Sequence, residues 1–128
     1  MIRVFIGYDS RENVAFNVAS NSIQRHATQP VQIGQIRKSQ LSGVYHRDDE
    51  SLSSTEFSFS RFLVPYLCDF EGWAIFMDCD VLLRDDISKL WALRDEQYAV
   101  MCVKHDHQPK TEIKFLGAQQ TKYEKKNW

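Results

Sequence analysis

The sequence predicts an α/β domain with a mainly parallel sheet flanked by helices. Three observations predict it. Apolar segments of strand length alternate with segments of helical period along the chain. One segment, Trp73-Ala74-Ile75-Phe76-Met77, is apolar without a break, as strands covered on both faces of a parallel sheet are. The length, 128 residues with 43% hydrophobic and 26% charged, suits a single globular domain.

Each element has its own signal. Ile2 to Ile6 reads as the first strand, ended by Gly7. Tyr8 to Glu12 is polar and turn-like, and Ser10 or Asn13 is placed to cap the next helix. Val14, Ala15, Val18, Ala19, Ser22 and Ile23 recur at helical spacing, which predicts a helix over Val14–His26. Val31–Ile36, after Pro30, reads as a second strand. Arg37 to Ser54 has no period and contains Arg47-Asp48-Asp49-Glu50, so it reads as a long mobile loop, of a length that often carries function. A second helix is expected from near Thr55 to Leu67, kinked or restarted at Pro65. After the apolar run, Asp86 is placed to cap a short helix, Ile87–Leu93, and Tyr98–Val103 reads as a further strand. Lys110 to Trp128 differs in composition, with five Lys against two Glu. The expected organisation is an α/β binding domain over residues 1–109 and a Lys-rich tail over residues 110–128.

Composition excludes several functions. The net charge of −1 argues against a nucleic-acid binder, whose affinity needs a basic surface. No apolar run is long enough to span a bilayer, and the N-terminus lacks the pattern of a signal peptide. Cys68, Cys79 and Cys102 are odd in number and form no CxxC pair, which argues against a disulfide framework and a structural zinc site. The expected compartment is the reducing cytoplasm.

The most informative residues are Asp78-Cys79-Asp80, at the end of the apolar run. Side chains two apart on an extended backbone point the same way, so the carboxylates converge while Cys79 faces elsewhere. The carboxyl end of a parallel strand is where open α/β sheets bind ligands. Two carboxylates held there repel unless a cation lies between them, and a hard divalent ion, magnesium or manganese, suits them. Such an ion keeps open positions for the oxygens of a diphosphate. Read alone, the pair also fits two loop-start caps.

Gly7-Tyr8-Asp9 follows the first strand and lies on the same sheet edge as Asp78. Tyr8 can stack on a base, and Asp9 can accept hydrogen bonds from a base or a ribose. A plain turn explains the same residues. Arg61, between Phe59 and Phe62, offers a planar fork for phosphate, or else snorkels to solvent. His105 and His107 form an HxH pair that reads as metal ligands, a base or a solvated loop. The Lys-rich tail can neutralise phosphates or fray.

Taken together, these places resemble the donor-binding half of a GT-A fold glycosyltransferase, most similar to family 8-type enzymes. The resemblance runs from Arg3 to about Leu93. Its strongest piece is Phe59-Ser60-Arg61-Phe62-Leu63-Val64-Pro65, then Ala74-Ile75-Phe76-Met77-Asp78-Cys79-Asp80-Val81-Leu82, then Asp86-Ile87-Ser88-Lys89-Leu90-Trp91. By that resemblance, Asp78 and Asp80 hold manganese or magnesium on the diphosphate of a nucleotide sugar, a UDP-sugar first of all. Tyr8 and Asp9 meet the base and ribose, the Cys79 backbone lies near the ribose, and Arg61 faces the donor. Residues 1–109 become a nucleotide-sugar-binding domain, incomplete at its C-terminus, and the tail the start of an acceptor-side region. The acceptor is unknown, and a homo-oligomer is compatible with the reading.

The chain departs from the family in length. Family members are about twice as long, and their acceptor site and a further metal ligand, often a His, lie downstream. Tyr123-Glu124-Lys125-Lys126-Asn127-Trp128 reads as an interior segment. Two alternatives compete. A non-catalytic nucleotide-sugar-binding or interaction module would use the same residues. A haloacid dehalogenase-type phosphohydrolase also has DxD after an apolar strand, but too few residues follow Asp80 here for its remaining motifs.

Overall fold

Ile2, Val4 and Ile6 alternate with Arg3 and Phe5, and this period of two makes β1 (Ile2–Gly7) a strand with one fully buried face. In the computed structural model β1 is the centre of a three-stranded parallel sheet of order β2-β1-β3, with β2 at Val31–Ile36 and β3 at Ile75–Met77. The structure describes residues 1–48, 51, 53–104, 110, 113 and 117. It divides into two compact units, Met1–Asp95 and Glu96–Trp128, and the sheet belongs to the first. Helix α1 (Asn13–His26) crosses between β1 and β2 and lays Ala19 and Ile23 on Ile2, Val4 and Ile6. The α/β class and the parallel sheet are as the sequence predicts.

Several elements differ in detail, each for a physical reason. Val14 and Val18 of α1 face outward, because Ala15, Ala19, Ser22 and Ile23 already form the stripe against the sheet. Neither Ser10 nor Asn13 caps α1, whose N-cap is Glu12 with no side-chain cap bond; Asp9 instead caps the 3-10 turn ahead of it, Ser10–Glu12, its carboxylate accepting the Arg11 N–H. The segment expected as a helix from Thr55 is turns, then a 3-10 turn at Ser60–Leu63, then one turn of α-helix, α2 (Val64–Leu67). Thr55 and Ser58 bond each other's backbone locally, with Thr55 N–H donating to Ser58 Oγ at 3.0 Å, which competes with helix formation. Pro65 falls in the first turn of α2, where its missing N–H costs nothing.

The apolar run yields only three strand residues, and they are half-buried, because β3 forms one edge of the sheet. The Arg3 side chain sets where β3 begins. Its Nε donates to the Trp73 carbonyl at 3.2 Å and its Nη2 to the Glu71 carbonyl, so the backbone before Ala74 is bonded to a side chain rather than to a strand. Asp86 caps the short helix α3 (Ile87–Trp91) as predicted, accepting the Ser88 N–H at 2.9 Å. In the second unit Tyr98–Val103 is not a strand, and Tyr98, Val100 and Val103 are exposed. An apolar run shows what a segment would bury, and pairing needs a neighbouring edge as well. Among the described residues no helix is long and apolar enough to cross a membrane.

Candidate functional site

Parallel strands put their carboxyl ends on one edge, and here the register fixes what meets there. Ile6 lies opposite Met77, so the residues just beyond, Gly7-Tyr8-Asp9 and Asp78-Cys79-Asp80, share that edge. The strand order reverses direction at β1, and such a crevice outside the carboxyl ends is where sheets of this class bind ligands.

Asp78 leaves β3 directly, while Cys79 and Asp80 turn the chain. Cys79 is buried in the core, Asp78 is half-exposed and Asp80 is exposed. Burial holds the Asp78 carboxyl above its ordinary value, against the pull of Arg61, and the Asp80 charge pushes it further up. The two carboxylates therefore act on each other across the turn. Arg61 Nη1 reaches Asp78 Oδ1 at 3.2 Å, so this Arg faces the DxD rather than open solvent. The Cys79 thiol is pushed up to about 12 by burial and by its contact with Glu12, 3.5 Å away. It is an anchor beneath the carboxylates and not a nucleophile. Beyond the turn, the Leu83 N–H donates to Ser22 Oγ at 3.1 Å, and the same hydroxyl donates to the Ala19 carbonyl at 2.7 Å. The DxD turn is thus tied to α1.

Tyr8 and Asp9 are placed deeper than the sequence suggests. Tyr8 is buried, with the Arg37 guanidinium 4.0 Å from its ring centre and Phe16 at its edge. The Asp9 side chain is wholly buried. Its carboxylate accepts Arg11 N at 3.0 Å, Arg11 Nε at 2.8 Å, Arg11 Nη2, and Glu56 N at 3.2 Å. The Arg11 hydrogen bonds outweigh burial and hold Asp9 at about 2.

Sequence reasoning missed the residues that join these groups. Phe57 is 2% exposed and sits on Gly7, with its ring 6.3 Å from Phe76 and 5.2 Å from the Arg61 guanidinium. Its carbonyl accepts Arg61 Nε at 3.4 Å. The signal for Phe57 was its alternation with Phe59 in Phe57-Ser58-Phe59-Ser60, ahead of Arg61. For Arg11 and Glu56 there was none. Beside them, at the carboxyl end of β2, lies an open depression of about 420 Å³ whose lining includes Lys38, Tyr45, Arg47 and Glu56. His105 and His107, and all of the tail except Lys110, Ile113 and Gly117, lie outside the described residues.

Asp78 and Asp80 are suited to a hard divalent ion: two oxygen donors, electrostatically coupled, on the open side of the turn. Among the described residues no group of three or more His, Cys, Asp or Glu side chains gathers for a metal.

Residues 9–128 match the family model described as glycosyl transferase family 8. Protein CDI of Arabidopsis thaliana is 51% identical over 128 residues, which is 98% of this chain and 49% of that protein. The chain spans about half the length of this curated relative. No solved structure matches it.

Proposed function

Because the chain belongs to glycosyl transferase family 8, we propose that it forms the donor-binding half of a metal-dependent glycosyltransferase. Its donor is a nucleotide-diphosphate sugar, with a UDP-sugar as the first candidate. The nucleotide-sugar domain extends to residue 109, and residues 110–128 begin the acceptor side. The observation that carries the reading is the meeting of Arg61 with Asp78, beside Asp80, at the carboxyl end of β3.

The residues divide the work by their chemistry. Asp78 and Asp80 would hold manganese or magnesium, which supplies charge neutralisation for a departing diphosphate. Arg61 offers a planar cation on the same side, seated on Phe57 and Phe76. Tyr8 and Asp9 shape the base and ribose end from below, and the Cys79 backbone borders the ribose. The protein thereby orients the donor and lowers the cost of the leaving group.

Calorimetry of UDP with and without manganese tests this on the parent and on Asp78→Asn/Asp80→Asn. The amides keep the shape and remove the charge. Binding is expected to need manganese and to vanish in the variant. UDP binding that ignores both metal and substitution overturns the reading.

A further inference from the structure

The segment that carries Arg61 has little regular structure of its own. Residues 54–59 are mostly turns, reached from a long loop, yet Arg61 arrives 3.2 Å from Asp78. Something must locate that segment, since a chain without a hydrogen-bond ladder is free to drift. Three side chains from the loop after β1 fasten it. Asp9 accepts the Glu56 N–H at 3.2 Å. Arg11 Nη2 donates to the Ser54 carbonyl at 3.0 Å. The Ser10 hydroxyl donates to the Glu56 carboxylate. Phe57 comes directly after Glu56 and closes over Gly7.

Arg11 is the keystone of these ties. It grips Asp9 through Nε and Nη2 while Nη2 also holds Ser54. Its own side chain is 47% exposed, but the carboxylate it neutralises is wholly buried. Without that guanidinium, Asp9 keeps only two backbone donors, from Arg11 and Glu56, for a buried charge. A buried carboxylate stripped of its cation either takes up a proton or rearranges its surroundings. Both outcomes act on Glu56 and Phe57, and so on Arg61.

We propose that Arg11 is a positioning residue for the donor diphosphate: by holding Asp9 and Ser54 it fixes Glu56 and Phe57, and through them the placement of Arg61 against Asp78. The proposal rests on the donor reading above. It assigns a role in phosphate binding to a residue that need not touch phosphate. A lysine cannot replace it, because one ammonium on a flexible stem does not reproduce a planar fork reaching two carboxylate oxygens and a carbonyl.

The test compares the parent with Arg11→Met, Arg11→Lys and Asp9→Asn/Arg11→Met. Two quantities are read: the Kd of UDP with manganese from pH 7 to pH 5, and amide hydrogen exchange over Glu56–Phe62 in the protein without nucleotide or metal. Arg11→Met should weaken UDP binding about tenfold or more. The ratio of its Kd to the parent's should grow as pH falls, because burial pushes the Asp9 carboxyl up once the guanidinium is gone. Glu12 and Glu56 are the acidic side chains acting on Arg11 beside Asp9, and Lys38 and Arg47 line the depression next to Glu56. Exchange over Glu56–Phe62 should quicken while Val4–Ile6 stays protected, which shows that the fold persists. Arg11→Lys should recover part of the affinity only, and the double variant should lose the extra dependence on pH. An Arg11→Met protein that binds and exchanges like the parent overturns the role of Arg11 alone. A parent that fails to bind UDP with manganese overturns the donor reading, and the phosphate role falls with it.

Discussion

Gly7→Ala is the sharpest probe of how the site is assembled. A Cβ at position 7 would lie 2.4 Å from Phe57 Cδ2, 2.5 Å from Cγ and 2.8 Å from Cε2. Carbon atoms in contact sit about 3.5–4.0 Å apart, so the ring must retreat by roughly 1 Å. Phe57 is fully packed and has Phe76 beside it, so it cannot retreat as a unit. Overpacking of this kind costs about 1–3 kcal/mol, and the closeness of three ring atoms puts this site near 3 kcal/mol. Replacing strand glycine by alanine returns about 0.5–1 kcal/mol of chain entropy. The expected net cost is therefore about 2 kcal/mol. Phe57→Leu alone should cost about 1–2 kcal/mol and opens the space that the methyl needs. The pair should then be less destabilised than the sum of its parts by about 1 kcal/mol or more. Urea unfolding of the four proteins, with linear extrapolation, measures this coupling. A sum that holds to within about 0.5 kcal/mol would refute the claim that position 7 and the Phe57 ring compete for one volume.

Three further outcomes rest on the same contacts. Asp9 is lowered from 3.8 to about 2 in the folded chain, which is worth about 2 kcal/mol. Because the folded value is the lower one, this stability is complete above about pH 5 and is lost as pH falls from 4 towards 2. Urea midpoints over that range should drop in the parent and flatten in Asp9→Asn. Arg3→Met removes the donors to Trp73 and Glu71 ahead of β3 and should cost about 1–3 kcal/mol, read as a lower Tm. Cys79, buried and pushed up to about 12, should resist iodoacetamide at pH 8 while exposed Cys102 reacts, and mass spectrometry with and without denaturant separates the two.

Much of the site was legible because its signals are local. The apolar run marks a strand that ends just before Asp78-Cys79-Asp80, and Asp86 caps its helix through a bond two residues away. Arg61 was visible as a cation in an apolar segment, although its partner was not. What escaped depends on distant contacts. Asp9 reads as a turn residue or a ligand group until Glu56, 47 positions on, is seen to donate to it. Val14 and Val18 fit the helical period as well as Ala15 and Ala19 do, and only the crossing of α1 over β1 decides which stripe is covered. Tyr98–Val103 has the composition of a strand, but composition does not supply an edge to pair with.

Ser22 shows how narrow a position can become when it serves two neighbours. Its hydroxyl closes a bond within α1 and receives the Leu83 N–H from the chain beyond the DxD turn, in a place buried against the sheet. The side chain must be small, and it must accept a hydrogen bond. Alanine is the better helix former, so a survey of helix propensity would score Ser22→Ala as an improvement. It would instead leave one backbone donor stranded beside the loop that bears Asp78 and Asp80. Tolerance to mutation at this helix position is therefore governed by a loop 61 residues away.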